Sequence, residues 1–124
     1  MPLGRRQDFE MHSGDDLDLV ITVQDAVEAG VDITGATSIR WQLSRLATGG
    51  PRPGPAGAAL VEKALGAASG ITLSGVSGCV VALSGVDTAA LRTADYYHEL
   101  ELVVSGRTTT GLYGIAEIQS DLIE

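Results

Sequence analysis

The stretch with the most chemically capable side chains is DTAALRTADYYHELEL, residues 87–102. It brings two tyrosines, one histidine and two glutamates close together, and a histidine beside a carboxylate is a common general acid–base pair. His98 and Glu99 have the residue types for that chemistry. In an extended strand, however, successive side chains point to opposite faces. We therefore predict that His98 and Glu99 lie on opposite sides of a sheet and form no acid–base pair.

The same alternation predicts the two faces of this strand. The inner face is predicted to consist of Tyr96, His98, Leu100, Leu102 and Val104. The outer face would be the solvated side of a half-buried strand, which is common in antiparallel sheets. Tyr96 lies at the strand start, five residues after Leu91. This spacing favours a tyrosine corner, in which the ring packs inward and the hydroxyl binds a nearby backbone group.

The other acidic and histidine residues do not form a metal-binding pattern. Asp15, Asp16 and Asp18 could offer carboxylate oxygens to calcium, but the central glycine and terminal glutamate of an EF-hand loop do not follow them. His12 and His98 are the only histidines, and neither has a second ligand at metal-binding spacing. We predict no metal site and no cofactor.

Nucleophilic chemistry is also not indicated. Cys79 is the only cysteine, which excludes an intrachain disulfide, and its place on a predicted apolar face favours a buried thiol. The segments SGVSG and LSGVD do not match the G-x-S-x-G nucleophile elbow, and ATGGPRPGPAG lacks the ending of a phosphate-binding loop. Trp41 shares a predicted face with Ile39 and Leu43, which favours a core aromatic over a sugar-stacking platform. We predict that the protein is not an enzyme.

Composition narrows the classes of partner. The chain has 124 residues, the size of one domain, and 44% of them are hydrophobic, which is enough for one core. The net charge of −8 argues against nucleic acid and against anionic membrane surfaces, since both attract clustered Lys and Arg. No apolar run is long enough for a transmembrane helix, and the N-terminus MPLGRRQDFEMHSG lacks the apolar stretch of a secretory signal peptide. We predict neither a nucleic-acid nor a membrane partner.

The elements that position these residues are predicted to be strands. Period-two segments such as DDLDLVITVQD and TSIRWQLSRL recur between turn signals, and no segment shows sustained helical periodicity. The pattern predicts an all-β fold, a single antiparallel immunoglobulin-like sandwich of about seven strands. Residues 1–14 show no period and are predicted to form an extended N-terminal arm. Residues 15–124 would form the sandwich domain, with an exposed Pro/Gly loop at 47–57.

The order of several short motifs resembles a known family. GDDLDLVITVQD, VDITGATSIRWQLSR, LVEKAL, VVALSGVDTAAL, ADYYHELEL and GLYGIAEIQ follow one another as in the immunoglobulin-like N-terminal domain of phage baseplate upper proteins. The resemblance covers residues 14–122 and departs from the family at Ala94 and Asp95, where a glycine is common before the tyrosine. The matching positions are Asp32, Gly35, Lys63, Asp87, Thr88, Leu91, Tyr96, Glu99, Leu100 and Gly114.

The resemblance implies a non-enzymatic virion structural protein of a tailed phage, prophage or gene-transfer particle. The protein would act in the tail or baseplate as an assembly module, through contacts with other virion proteins and with copies of itself. It would be made in the bacterial host cytoplasm and reside in the virion. A carbohydrate-binding or host-adhesion module and a head decoration or head–tail connection protein are the alternatives. We assign structural roles to Trp41, Asp87, Leu91 and Tyr96. The candidate partner contacts are Arg5, Arg6, Phe9, Pro51, Arg52 and Pro53.

Overall fold

The structure is a computed structural model that describes residues 5–24, 30–47, 50 and 53–119. These residues form nine strands, one short α-helix and one 3-10 helix. The strands are β1 (Arg5–Arg6), β2 (Phe9–His12), β3 (Leu17–Thr22), β4 (Ser38–Leu46), β5 (Pro55–Leu65), β6 (Gly70–Ser74), β7 (Gly78–Leu83), β8 (Ala94–Val104) and β9 (Arg107–Gln119). The helices are α1 (Gly85–Thr88) and the 3-10 helix Ala67–Ser69.

The all-β prediction is confirmed, and the seven strands from β3 to β9 coincide with the period-two segments of the sequence. Alternation of apolar and polar residues is a local property that sheet pairing preserves, so strand positions can be predicted without knowing the partners. β6 and β7 form an antiparallel hairpin around residues 75–77. α1 begins two residues after the end of β7.

The prediction of an immunoglobulin-like sandwich is wrong. All nine strands belong to one sheet that curls nearly into a barrel. The strand order is β1-β9-β8-β4-β5-β6-β7-β3. β2 also pairs with β9, further along that strand than β1 does. The hairpin strands β8 and β9 pair antiparallel along their whole length, and β4 joins β8 to β5. On the other side, β7 joins β6 to β3.

A short parallel link between β5 and β6 explains why the two groups of strands do not separate into two layers. Ala64 pairs with Gly70 and Leu65 pairs with Ile71, across the one-turn 3-10 helix. The Gly66 N–H also donates to the Ile71 carbonyl at 2.8 Å. Because this connection keeps the main chains hydrogen-bonded, the sheet continues through the position where a sandwich would have a gap between its layers.

The core lies inside the curled sheet. Trp41, Ile39 and Leu43 on β4 are 0 to 1% exposed, as their alternation predicts. Cys79 and Val81 face them from β7, and both are fully buried. The inner positions of β8 are also buried, which confirms the face predicted for them. They include Tyr96, His98, Leu100 and Leu102. One polar ring, that of His98, therefore lies among aliphatic side chains and needs hydrogen-bond partners there.

Residues 5–12 lie within the predicted N-terminal arm, but they are part of the sheet. Residues 5–12, which we call the N-terminal segment, contain β1 and β2, and both strands pair in parallel with β9 of the same chain. Met11 is 7% exposed, and Phe9 packs against the core. The predicted boundary at residue 14 therefore does not divide the structure. β1 and β9, the first and last strands in the described part of the chain, lie side by side at one edge of the sheet.

Candidate functional site

The buried imidazole of His98 is the centre of a polar cluster that joins the N-terminal segment to the core. The Trp41 Nε1–H donates to His98 Nδ1 at 3.2 Å, and His98 Nε2 lies 2.6 Å from the Gln7 carbonyl oxygen. Because an indole N–H only donates and a carbonyl only accepts, His98 carries its proton on Nε2 and donates it to Gln7. The Phe9 ring and the imidazole pack nearly perpendicular to each other, with a centroid separation of 4.9 Å. Both ring nitrogens are thus engaged.

Burial keeps this histidine neutral. Loss of hydration lowers the pKa of His98 from 6.5 to about 4, although the bond to Gln7 and the nearby Asp8 carboxylate both favour the proton. An imidazolium would also lose the bond from Trp41, because its two nitrogens both carry hydrogens. At neutral pH the ring therefore serves as a fixed acceptor and donor between β4 and the N-terminal segment.

Glu99 does not belong to this cluster. Its carboxylate accepts a hydrogen bond from the Tyr97 hydroxyl at 2.9 Å, whereas His98 binds Trp41 and Gln7 inside the sheet. The two side chains occupy opposite faces, as the sequence predicts. Tyr97 is only 6% exposed, so its ring offers little surface for stacking on a sugar.

The N-terminal segment docks on β9 through its main chain and one carboxylate. The Gln7 N–H donates to the Tyr113 carbonyl at 2.8 Å, and the Ile115 N–H donates to Asp8 Oδ1 at 2.9 Å. Gly114 makes this approach possible, because a β-carbon there would lie 2.8 Å from Asp8 Oδ1 and closer to the Gln7 carbonyl. Burial raises the pKa of Asp8, but hydrogen bonds from Arg6 and Ile115 lower it more. The carboxylate therefore stays ionised and occupies a backbone donor of β9.

A second polar cluster joins α1 to β5. Lys63 Nζ lies 2.8 Å from Asp87 Oδ2, and the same oxygen accepts the Ser84 N–H at 2.8 Å. These bonds lower the pKa of Asp87 against the opposing effect of burial. Nearby, the Tyr96 hydroxyl donates to the Arg92 carbonyl at 2.9 Å, which is the tyrosine-corner bond expected from the sequence. Leu91 packs on the edge of the core.

Removal of the Asp87 carboxylate is expected to weaken this corner. Asp87→Ala loses the cap on the Ser84 N–H and the ion pair with Lys63, so we expect the free energy of unfolding to fall by about 1 to 2 kcal/mol. Asp87→Asn keeps an acceptor for Ser84 and should cost less. Urea denaturation of both variants and of Lys63→Met tests this. Equal stability of Asp87→Ala and the unmodified protein would contradict the assigned role.

A cleft of about 840 Å³ lies between this corner and the ends of β4 and β5. Its charged groups are those of Arg45, Asp87, Arg92 and Asp95, and Leu46, Leu60 and Leu91 supply apolar surface. The two guanidinium groups are balanced by two carboxylates. Thr93 and Tyr96 bring hydroxyl groups to the lining of the cleft, and the Tyr96 hydroxyl donates to the Arg92 carbonyl.

The other residues singled out by the sequence have these positions. Asp16 Oδ1 accepts the Gly85 N–H at 2.7 Å and so fixes a turn. Burial raises the pKa of the Cys79 thiol to about 11, which leaves it protonated and unreactive. Within residues 5–24, 30–47, 50 and 53–119, no three His, Cys, Asp or Glu side chains lie close enough to hold a metal ion.

The six candidate partner contacts have different surroundings. Arg6 is exposed and pairs with Asp8 at 3.0 Å, so it is available at the surface. Phe9 differs from the prediction, because its ring packs within the chain, 6.4 Å from the Trp41 ring between centroids. Pro53 is half-buried. The backbone of Arg5 is in β1, and Pro51 and Arg52 lie outside the described residues.

Comparison with known proteins adds no relative. No protein-family model matches the sequence, and no curated protein is significantly similar to it. Among the described residues, no helix has the length and apolar character needed to cross a membrane.

The sequence contained a weak signal for the part of the site that its prediction missed. Phe9 and Met11 alternate with Glu10 and His12, which is period two over four residues. Four residues are too few to distinguish a strand from an irregular segment by pattern alone. The roles of Gln7 and Gly114 had no local signal, since each depends on a residue about a hundred positions away.

Proposed function

We propose that the protein is a non-enzymatic virion structural protein of a tailed phage, prophage or gene-transfer particle. It would act in the tail or baseplate region as an assembly module, through contacts with other virion proteins and with further copies of itself. The resemblance in motif order supports this class of function. The sandwich that the resemblance implies is not part of the proposal, because the strands form one curled sheet.

The observation that carries the proposal is that the motif residues form hydrogen bonds and an ion pair that stabilise the fold. The Thr88 hydroxyl accepts the Gly14 N–H at 3.0 Å, and Asp32 accepts the Thr34 N–H at 2.9 Å. Asp87 joins α1 to β5 through Lys63. Polar and charged side chains that could take part in catalysis instead hold parts of the fold together. This is typical of a protein that acts by its shape and surface.

The carbohydrate-binding alternative receives less support. A sugar platform needs an aromatic face open to solvent. Tyr97 is 6% exposed and its hydroxyl donates to Glu99, and Tyr113 is half-buried. Trp41 is fully buried.

Incorporation into particles tests the proposal. Particles purified from the source culture should contain the protein at a fixed copy number per particle, measured by quantitative mass spectrometry against the main tail protein. Truncation of the N-terminal segment is not a suitable test, because it would also expose Phe9, Met11 and the core beneath them. Absence of the protein from purified particles would contradict the proposal.

A matched pair of charge reversals tests whether Arg6 contributes to assembly. Arg6 and Arg40 are both exposed arginines beside one carboxylate, Asp8 and Glu62 respectively. Loss of an interfacial contact worth about 1.4 kcal/mol reduces binding about tenfold. We therefore expect Arg6→Glu to be incorporated about tenfold less than the unmodified protein in a competition. Arg40→Glu should be incorporated normally. Equal incorporation of both variants would remove Arg6 from the contact surface.

A further inference from the structure

We infer that the N-terminal segment of one copy docks on β9 of a second copy, in the groove that holds the chain's own segment. This inference rests on the proposed assembly function and names its partner surface. The groove is formed by the outer edge of β9 and by His98 and Trp41 behind it.

The groove is fitted to this particular segment. In the groove, His98 donates a hydrogen bond to the Gln7 carbonyl and the Ile115 N–H donates one to the Asp8 carboxylate. Gly114 leaves space for both groups. The Phe9 ring fills the space beside the imidazole. A second copy would present the same groups in the same order. Exchange therefore recovers the contacts of the segment, at the cost of opening the turn and of bringing two copies together.

The turn that must open is short and is held by few bonds. Residues 13–16 connect β2 to β3, and Gly14 has φ of +86°, a conformation that glycine readily leaves. The bonds at the turn are those from the Ser13 N–H to Gln119, from the Asp15 N–H to His12, from the Gly14 N–H to Thr88 and from the Gly85 N–H to Asp16. Such exchange of an identical element is a low-cost route to oligomers.

The outer face of the groove contains a row of like charges that weakens its hold on the segment. Glu10 on β2 is paired with Glu117 on β9, and Glu117 is paired with Asp95 on β8. All three side chains are exposed. Like charges opposite each other on neighbouring strands are destabilising. The segment is thus bound strongly on its inner side and is repelled on its outer side.

The N-terminal segment is expected to occupy its own groove in a free chain and a neighbour's groove in a particle. A segment tethered to its own groove has an effective concentration in the millimolar range, so a free chain keeps it closed. In a particle many copies are held side by side, and a neighbour's groove competes at similar concentration. Head-to-tail exchange through one groove per copy links the copies into a ring where the rotation between them closes, and into an open filament where it does not.

Cysteine pairing between two differently tagged populations tests the inference. One population carries Glu10→Cys and the other Glu117→Cys, and both positions are exposed neighbours across β2 and β9. The populations are mixed at high concentration, taken to a pH of about 4 where His98 becomes protonated, returned to neutral pH and oxidised. We expect a disulfide-linked heterodimer on a non-reducing gel.

The matched control keeps the same acceptor cysteine. Asp95→Cys replaces Glu10→Cys, because Asp95 is the other neighbour of Glu117 but belongs to the β8–β9 hairpin and cannot exchange with the N-terminal segment. The heterodimer yield with Glu10→Cys should exceed that of the control severalfold. Equal yields would overturn the exchange. A chain carrying both Glu10→Cys and Glu117→Cys should form an internal disulfide when dilute, which verifies that the positions meet in the folded protein.

The two proposals fail separately. Equal heterodimer yields with normal incorporation into particles would remove strand exchange and leave the assembly function. Heterodimers formed by a protein that is absent from particles would remove the virion function and leave the exchange.

Discussion

Trp41→Ala is expected to lower the free energy of unfolding by about 3 to 5 kcal/mol, the usual range for a large buried aromatic. Trp41 is fully buried, and its ring lies 6.0 Å from His98 and 6.4 Å from Phe9 between centroids. Its loss would leave a cavity and would remove the donor to His98 Nδ1. Since a domain of this kind has about 5 to 15 kcal/mol of stability, the variant would lose a substantial share of it.

Two further variants separate the causes of this loss. Trp41→Phe keeps part of the ring but leaves His98 Nδ1 without its donor, for which we expect a cost of about 1 to 3 kcal/mol. Val20→Ala changes an apolar residue that is 61% exposed and should stay within about 0.5 kcal/mol of the unmodified protein. Urea denaturation followed by circular dichroism measures all three. A loss below about 1 kcal/mol for Trp41→Ala would contradict its place at the centre of the core.

Acidification from pH 7 to pH 4 is expected to remove about 3 kcal/mol of stability through His98 alone. Folding lowers the pKa of this group from 6.5 to about 4, so between these values the unfolded chain binds more protons than the folded one. Stability is therefore complete above pH 6.5 and falls as the pH decreases toward 4. The loss should appear first at the N-terminal segment, because protonation removes the Trp41 bond beside Gln7.

Carboxylates contribute in a separate range of pH. The pKa values of Asp8, Asp32 and Asp87 are lowered from 3.8, so their contributions are present above that value and are lost only below it. The Asp8 carboxylate is the charged group that acts on His98, and it favours the protonated ring. The window between pH 4 and 6.5 thus reports mainly on His98.

A substitution that keeps the hydrogen bonds but does not titrate isolates this effect. In His98→Gln the amide oxygen can accept from Trp41 and the amide nitrogen can donate to Gln7. We expect urea denaturation at several pH values to show a much smaller slope for this variant between pH 4 and 6.5. His12→Gln removes the exposed histidine and should keep the slope. An unchanged slope in His98→Gln would place the pH dependence elsewhere.

The sequence by itself determined the positions of seven strands, the inner faces of β4, β7 and β8, and the corner at Tyr96. Each depends on alternation or spacing within about ten residues, which the local backbone geometry fixes. The separation of His98 from Glu99 was predictable for the same reason. Even the buried state of Cys79 followed from its place in an alternating segment.

The tertiary structure decided which strands are neighbours and what His98 binds. A two-residue parallel link at Ala64 and Leu65 turned two expected layers into one curled sheet. The pairing of residues 5–12 with β9 turned an expected arm into strands, and it placed the Gln7 carbonyl on a histidine 91 positions away. Pairing partners and register depend on loop closure and on the fit of distant side chains, and neither is encoded in the period of any single segment.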